Sequence, residues 1–427
     1  MTTNSFVKEE RVAFENLLEG FNDALVLSRN VSIYRTSGEM MERTNNIIWR
    51  PQPFIAQSFS GMDQTLNFQS MTQLAVPATL GYQRSVPWIM DALELRDAMD
   101  EGRLGDAAKQ KLASDINLAV MSVAANYGSV AVCVTGAAGD YDDVAKCDTA
   151  FNEIGVQNFD RYLALSSRDY NGMAGNLAIA TRSFGNRMSE DAYRRGFVGT
   201  VAGFETYKFD YANRIRAVTG SNTTIDTRAA ANNYWVPQAT SVAATGETSN
   251  VDNRFQTVTF ASNADLQAGD VIRIEGVESV HHITKASTGV LKTFRIVSVG
   301  GSNTAVITPP IISAQGGSDA EKQYQNCAVT TSATATVTRL NTAAAPINCF
   351  WQKDALEILP GRYAPSENAG AAIMRASTDQ GIELVMQKQY DINTMKTKYR
   401  LDCLFGVVNK QPEMSGILLF GQSTVHP

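Results

Sequence analysis

The side chains with which this sequence could do chemistry are few, and their spacing argues against most of it. The three histidines are His281, His282 and His426. Adjacent His281 and His282 would point in different directions on a strand or turn, a poor start for a metal site without further ligands. They are expected on a loop of a β-rich stretch, and His426, next to the C-terminus, is expected to be mobile. The five cysteines (133, 147, 327, 349 and 403) are odd in number, dispersed, and form no Cys-x-x-Cys pair. Such a pattern predicts reduced thiols buried as small hydrophobes rather than a disulfide framework or a zinc site. Neither phosphate-loop, dinucleotide, nucleophile-elbow nor zinc-protease motifs occur. Gly172-Met-Ala-Gly175 is read as a helix-start turn, and Asp142-Asp143, just ahead of Val144 and Ala145, as a helix cap rather than an acid–base pair. The expectation is a protein with no catalytic, cofactor or metal site.

The elements around these residues fall into two kinds. From about Ala217 to Asn341 helical spacing almost vanishes, and short β-branched runs recur between turn residues: Val251 to Phe260, Val271 to Val277, Phe294 to Val299, Ala305 to Thr308. About 120 residues suffice to bury a core. The stretch reads as an all-β barrel or sandwich inserted into another domain, which requires its ends to lie close together. Elsewhere helices and strands alternate, so the frame is α+β. Phe14, Leu17, Leu18, Phe21 and Leu25 predict an amphipathic helix within 6–27, with acids Glu9, Glu10, Glu15, Glu19 and Asp23 against Lys8 and Arg11. Its plain reading is a solvated face; its sharper one is a docking arm for a basic partner. From Asn46 to Leu80 the chain reads as an extended two-stranded loop lacking its own core, with Arg50-Pro-Gln-Pro53 excluding helix and interior strand. An isolated hairpin is marginal in water, so this loop is expected to lie on a neighbouring subunit.

Leu104, Ala108, Leu112, Ile116, Val120, Val123 and Tyr127 predict a long helix, with Gly128 placed as a left-handed cap. Val130 to Val134 predicts a strand, Asp142 to Ile154 a helix ending at Gly155, and Ser189 to Gly196 a short capped helix. After the insert, Cys349-Phe-Trp351 resumes the frame. Ile382, Leu384 and Met386, then Tyr399, Leu401 and Cys403, mark two more strands.

Composition bounds the partners. With 427 residues, 44% hydrophobic, 19% charged and a net charge of −6, the chain is globular and expected to hold two or three domains. The one basic run, Lys396-Thr-Lys398-Tyr-Arg400, is too short for a dedicated nucleic-acid binder. The N-terminus lacks the basic start and apolar core of a signal peptide, and no apolar stretch of about 18 residues occurs, so a cytosolic protein with no membrane span is expected.

Four groups of residues carry a resemblance. Ser249 to Ser262, Asn45-Asn-Ile-Ile-Trp-Arg-Pro51, Ala192-Tyr-Arg-Arg-Gly196 leading to Val201-Ala-Gly-Phe204, and Asn348-Cys-Phe-Trp351 resemble, in order and spacing, stretches of the coat proteins of P-22-type short-tailed phages. The resemblance implies the Hong Kong 97-type capsid fold with an inserted β-barrel: arm 1–45, extended loop 46–81, spine helix with peripheral and axial domains 82–216, inserted barrel 217–341, and the second axial and peripheral part 342–427. It further implies hexamers and pentamers of an icosahedral procapsid, built with a scaffolding protein and a portal protein, expanding as double-stranded DNA is packaged but not specifically bound.

Carried over residue by residue, Glu15 and Glu19 become candidates for contact with a basic scaffold tail, an attraction that salt would weaken. The stretch 238–250, with Thr245, Glu247 and Asn250, becomes the loop that reaches a neighbouring capsomer. The family's loop is rich in charge and this one carries only Glu247, so backbone or hydroxyl contacts are expected instead. Some relatives of the fold cross-link through a loop lysine. Here no lysine lies between Lys8 and Lys109, and a non-covalent shell is expected. Two other readings are a glycan-binding or carbohydrate-active protein using Tyr234-Trp235, and a nanocompartment shell protein.

Overall fold

The computed structural model describes residues 14, 25–34, 47–65, 67–91, 98–139, 141–180, 198–210, 212–227, 233–330, 334–363, 371–378 and 380–426. They form two compact units: Met1–Ile48 with Ala78–Val120 and Glu357–Val408, and Trp49–Pro77 with Met121–Leu356 and Asn409–Pro427. Helix α1, Ala98–Tyr127, runs for 30 residues and contributes to both.

The first unit is a six-stranded sheet centred on the strand Lys396–Asn409. On one side it pairs with Glu383–Asp391, and that strand pairs with Ala372–Ser377. On the other it pairs with Tyr82–Asp91 in an unbroken antiparallel register, Tyr82↔Phe405 to Asp91↔Lys396. Aromatic pairs stack across this register, Tyr82 on Phe405 at 5.2 Å and Trp88 on Tyr399 at 5.5 Å between centroids. The sequence did not announce Tyr82–Asp91, because Pro87 interrupts it. As an edge strand it tolerates the missing N–H, and Pro87 is exposed there.

In the second unit a six-stranded sheet runs in the order Val130–Cys133, Ser415–Leu419, Asn348–Gln352, Arg161–Ser166, Phe204–Phe209, Thr200–Val201. Helices α2, Tyr141–Ile154, and α3, Ser167–Ala180, accompany it. Its core joins Val144, Cys147 and Phe151 of α2 to Leu163, Phe204, Phe350 and Leu418. Asp142 and Asp143 occupy the first turn of α2, where acids complement the helix dipole. Gly172-Met-Ala-Gly175, expected at a helix start, lies inside α3 instead. A Cβ on Gly172 would sit 2.5 Å from the Ala138 carbonyl, so close packing rather than turn geometry selects glycine there. Gly128 is also corrected. It does not adopt the left-handed conformation; its Cβ would meet Ala124 O at 2.8 Å and Gly416 at 3.3 Å. Gly155 does, with φ +92°, and closes α2 through Gly155 N–Phe151 O at 3.1 Å.

The β-rich stretch builds a seven-stranded sheet, led by the hairpin Val271–Val280/Ser287–Val299 and flanked by Ala335–Arg339, Thr223–Ile225, Cys327–Val329, Thr304–Thr308 and Gln256–Thr259. One bridge, Ile225↔Phe260, with Ala261 N donating to Thr224 O at 2.9 Å, joins the two outer strands and partly closes the barrel. Ile272, Ile274, Phe294, Ile296, Ile307 and Val337 fill it, each at most 1% exposed. Val218 N donates to Asn341 O (2.9 Å) and Asn341 Nδ2 to Arg216 O (3.0 Å), so the two ends of the stretch are adjacent. Helix α4, Asp319–Tyr324, is opened by a capping box of Ser318 and Glu321, which the sequence Ser-Asp-Ala-Glu spells out.

Candidate functional site

Sequence reasoning pointed to no reaction centre. Among the described residues no three His, Cys, Asp or Glu side chains come close enough to hold a metal ion. All five cysteines are free and buried. Burial pushes the thiols of Cys133, Cys327, Cys349 and Cys403 up to about 12 and that of Cys147 higher still, so none is a ready nucleophile. Trp235 is no open sugar platform: it packs against Leu74, Ile312 and Tyr324, and its indole N–H donates to Asn253 Oδ1 at 3.1 Å.

Two exposed segments stand out among the described residues. The stretch 238–250 forms an exposed hairpin, Thr240–Val242 paired with Thr248–Asn250. Gly246, at φ +84°, turns it, and Gly246 N donates to Ala243 O (2.8 Å). Thr245, Glu247 and Asn250 are all exposed on it. Ser241 and Ser249 meet through their hydroxyls at 3.2 Å, so the hairpin's outer chemistry is hydroxyl and backbone with one carboxylate.

The adjoining Val251-Asp-Asn-Arg-Phe255 fixes the hairpin's base. Asn253 uses both ends of its amide. Its oxygen accepts from Trp235 Nε1 and Gln238 N (both 3.1 Å), and its nitrogen donates to Gln238 O (2.8 Å) and Val251 O (3.1 Å). Arg254 grips Asp252 with two nitrogens (2.9 and 2.7 Å), donates to Asn409 O (2.9 Å) and lies over the Phe255 ring. A hairpin so anchored keeps its aim without a core of its own.

The extended loop is similarly held at its base and open beyond it. Ile47–Pro51 pairs with Ala75–Thr79, and Gln52 N donates to Leu74 O at 2.8 Å. The segment between them contains no strand among its described residues, where a two-stranded excursion was expected. Without a ladder its polar backbone leans on α4: Gln323 donates to Ser70 O (2.7 Å) and accepts from Thr72 N (3.1 Å), and Tyr324 donates to Thr72 O (2.9 Å). At and past this clasp Phe54, Phe59, Met62, Phe68 and Met71 are exposed, Met62 and Phe68 at 103% and 88%. Of the predicted arm, Phe14 is helical and buried. Glu15 and Glu19, like Ser189 to Gly196, lie outside the described residues.

The histidines depart most from expectation. His426, expected to be mobile, is 5% exposed; its main chain exchanges hydrogen bonds with Cys133 (3.0 and 3.2 Å), which ties the tail to a sheet edge. His281 and His282 begin the turn after Val271–Val280, as expected, but the turn is docked. His282 N donates to Ile154 O (2.9 Å) at the end of α2, and a Cβ on Gly155 would lie 2.7 Å from His281 Nε2.

Beside them lies a buried ion pair that sequence reasoning missed, Lys292 with Glu413; Lys292 also donates to Asn326 O (3.0 Å). Thr293 Oγ1 donates to Ser129 O (2.6 Å) and accepts from Ala131 N (3.1 Å), and Arg295 Nη2 donates to Ala125 O (2.7 Å) in the last turn of α1. Burial pulls the Arg295 guanidinium down to about 10, against the opposing pull of Cys349, Asp270 and Cys133. One strand of the insert thus satisfies an orphan carbonyl of the last turn of α1 and the chain just beyond it.

The family described as P22 coat protein, gene protein 5, matches residues 1–421. This chain belongs to that family. It is accordingly a phage capsid protein, a structural component of the virion shell and not an enzyme. Among solved structures, a chain from Mycobacterium phage Che8 is similar at 9% identity, covering 92% of this chain and 90% of its own, with a TM-score of 0.43. The mature capsid of bacteriophage PhiM1 is similar at 10% identity over 98% and 88%, with a TM-score of 0.44. The CUS-3 coat protein I-domain is 31% identical over 29% of this coat protein and 98% of its own length, with a TM-score of 0.22. No helix among the described residues of this P22-family protein is long and apolar enough to cross a membrane.

Proposed function

We propose that the chain is the major capsid protein that assembles, as hexamers and pentamers and with a scaffolding protein, into an icosahedral procapsid. That shell then expands as DNA is packaged. The observation that carries this reading is the loop clasped at its base with Phe54, Phe59, Met62, Phe68 and Met71 exposed at and beyond the clasp. So many exposed apolar side chains on one strandless segment are suited to cover by another subunit. The frame at 82–216 and 342–427 supplies the wall, with arm 1–45 and loop 46–81 reaching neighbours. The insert 217–341 carries the hairpin 238–250 outward, and Thr245, Glu247 and Asn250 meet the neighbouring capsomer.

With one carboxylate on the hairpin, that meeting rests on hydroxyl and main-chain hydrogen bonds. It should weaken less with salt than a charged contact. Glu15 and Glu19 of the arm take the basic tail of the scaffold, and a portal protein fills one vertex. The net charge of −6 suits a wall that encloses DNA without gripping it.

Electron microscopy of the protein co-expressed with its scaffold tests the reading. Closed shells are expected; monomers alone would reject it. Glu15→Lys and Glu19→Lys are expected to lower shell yield while circular dichroism stays unchanged, and full yield in both would remove the arm's role.

A further inference from the structure

The second compact unit holds a cavity of about 400 Å³ at the root of the extended loop. Its apolar wall is the small cluster of Leu74, Ile312 and Tyr324 with Ile55 packed against it, extended by Pro310 and Met414. Its charged lining is Arg50, Arg254 and Lys410 against Asp354 and Glu413. Lys292 pairs with Glu413 and Asp252 with Arg254, and with both included the balance stays cationic. The cavity therefore suits an apolar group that carries an anion beside it.

The tip of the same loop has that make-up. Between Arg50 and Arg84 the sequence has a single charged residue, Asp63. Phe59 and Met62 precede it closely and are 43% and 103% exposed. The tip is an ordered turn. Gln64 Nε2 donates to Gly61 O (2.6 Å), and Thr65 donates to Asp63 Oδ1 through its N–H (3.1 Å) and its hydroxyl (2.6 Å). Asn67 N donates to Gln64 O (2.9 Å), and Gly61 sits at φ +105°, where a side chain would be strained. A segment with no core around it thus holds a fixed shape with Met62 fully exposed. A preformed turn loses little freedom on docking.

We propose that the loop tip 58–63 of one copy seats in this cavity of the next copy, with Phe59 and Met62 against the apolar wall and Asp63 towards Arg50 and Lys410. The proposal rests on the reading of the chain as a shell protein and names the surface that receives the loop. The tip does not fill its own cavity, since Met62 is exposed rather than folded back on the root. The stretch 55–62 can carry it up to about 25 Å away. Each copy offers one tip and one cavity on different surfaces, so the contact runs head to tail. Such a heterologous contact closes into a ring by repeated rotation, which a two-fold pairing of like patches does not.

Met62→Cys combined with Gln157→Cys, an exposed residue of the cavity lining, tests the pairing in assembled shells. The five native thiols are buried, so a short bis-maleimide reads the introduced pair. The double variant is expected to give a ladder from dimer upwards on a denaturing gel, ten-fold or more above either single variant, while the unassembled chain stays unlinked. Closed shells without a ladder would overturn the proposal and leave the shell reading standing; absence of shells from wild type would overturn both. A link within the unassembled chain, found by mass spectrometry of its digest, would also overturn it, because the tip would then reach its own cavity. If the double variant does not assemble, hydrogen exchange of wild type decides. Peptides covering 58–65 and 410–414 are expected to gain ten-fold or more protection together on assembly. Shells in which either stays as open as in the free chain would overturn the proposal.

Discussion

Lys292→Met breaks a buried ion pair from the side of the cation, and the structure sets its cost. The Lys292 side chain is 6% exposed and that of Glu413 17%, so neither is well hydrated. Removing one member of such a pair typically costs about 3–5 kcal/mol, because the partner is left charged in a poor solvent. Glu413 keeps Lys285 as a cationic neighbour, which places Lys292→Met near the lower end, about 3 kcal/mol. Glu413→Gln leaves the ammonium its bond to Asn326 O and removes the charge attraction, for about 2 kcal/mol. In the double variant no uncompensated charge remains, and the cost should return to about 2 kcal/mol rather than the additive value of about 5. Urea unfolding of the monomer, followed by tryptophan fluorescence, reads all four corners of the cycle. The expected coupling is about 3 kcal/mol. Additivity within about 0.5 kcal/mol would show that the pair is screened and that the burial argument is wrong.

Gly416→Ala would place a Cβ 2.4 Å from the Val130 carbonyl and 2.3 Å from Phe350 Cζ between two paired strands, so it should cost about 3 kcal/mol or prevent folding, read as soluble yield and thermal midpoint. The five buried thiols should resist a disulfide-exchange reagent in the native protein and react fully after denaturation, five per chain; rapid native labelling of more than one would contradict their burial. With no lysine between Lys8 and Lys109, mature particles boiled in detergent should run as monomer, without a ladder of covalent multimers.

What the sequence disclosed was what its local periodicity encodes. Alternating Ile272 and Ile274 beside Phe294 and Ile296 spelled a buried β unit, and those residues belong to its core. The repeat from Ala108 to Val123 spelled the long helix. Contacts between residues far apart in sequence left no such trace. Lys292 and Glu413 stand 121 residues apart, and nothing around either foretells the other. Gly128 and Gly172 were legible as glycines with a purpose, but that purpose is a carbonyl facing each from another turn or loop, which only packing reveals. His426 looked free because it stands next to the C-terminus; a sheet edge offering an N–H and C=O at Cys133 makes it fixed. The hairpin at 238–250 was located by resemblance, and its anchor in Asn253 could have been suspected from an amide flanked by Asp and Arg. The clasp of Gln323 on Ser70 and Thr72 could not.

The central claim is that exposed surfaces on the extended loop and the hairpin exist to meet other copies of this chain. A cryo-electron microscopy reconstruction of assembled particles tests it most directly. Phe54, Phe59, Met62, Phe68 and Met71 are expected to be covered by an adjacent subunit, and the 240–250 hairpin to touch the neighbouring capsomer through Thr245, Glu247 and Asn250. Closed shells in which both segments project into solvent, touching no other subunit, would contradict it.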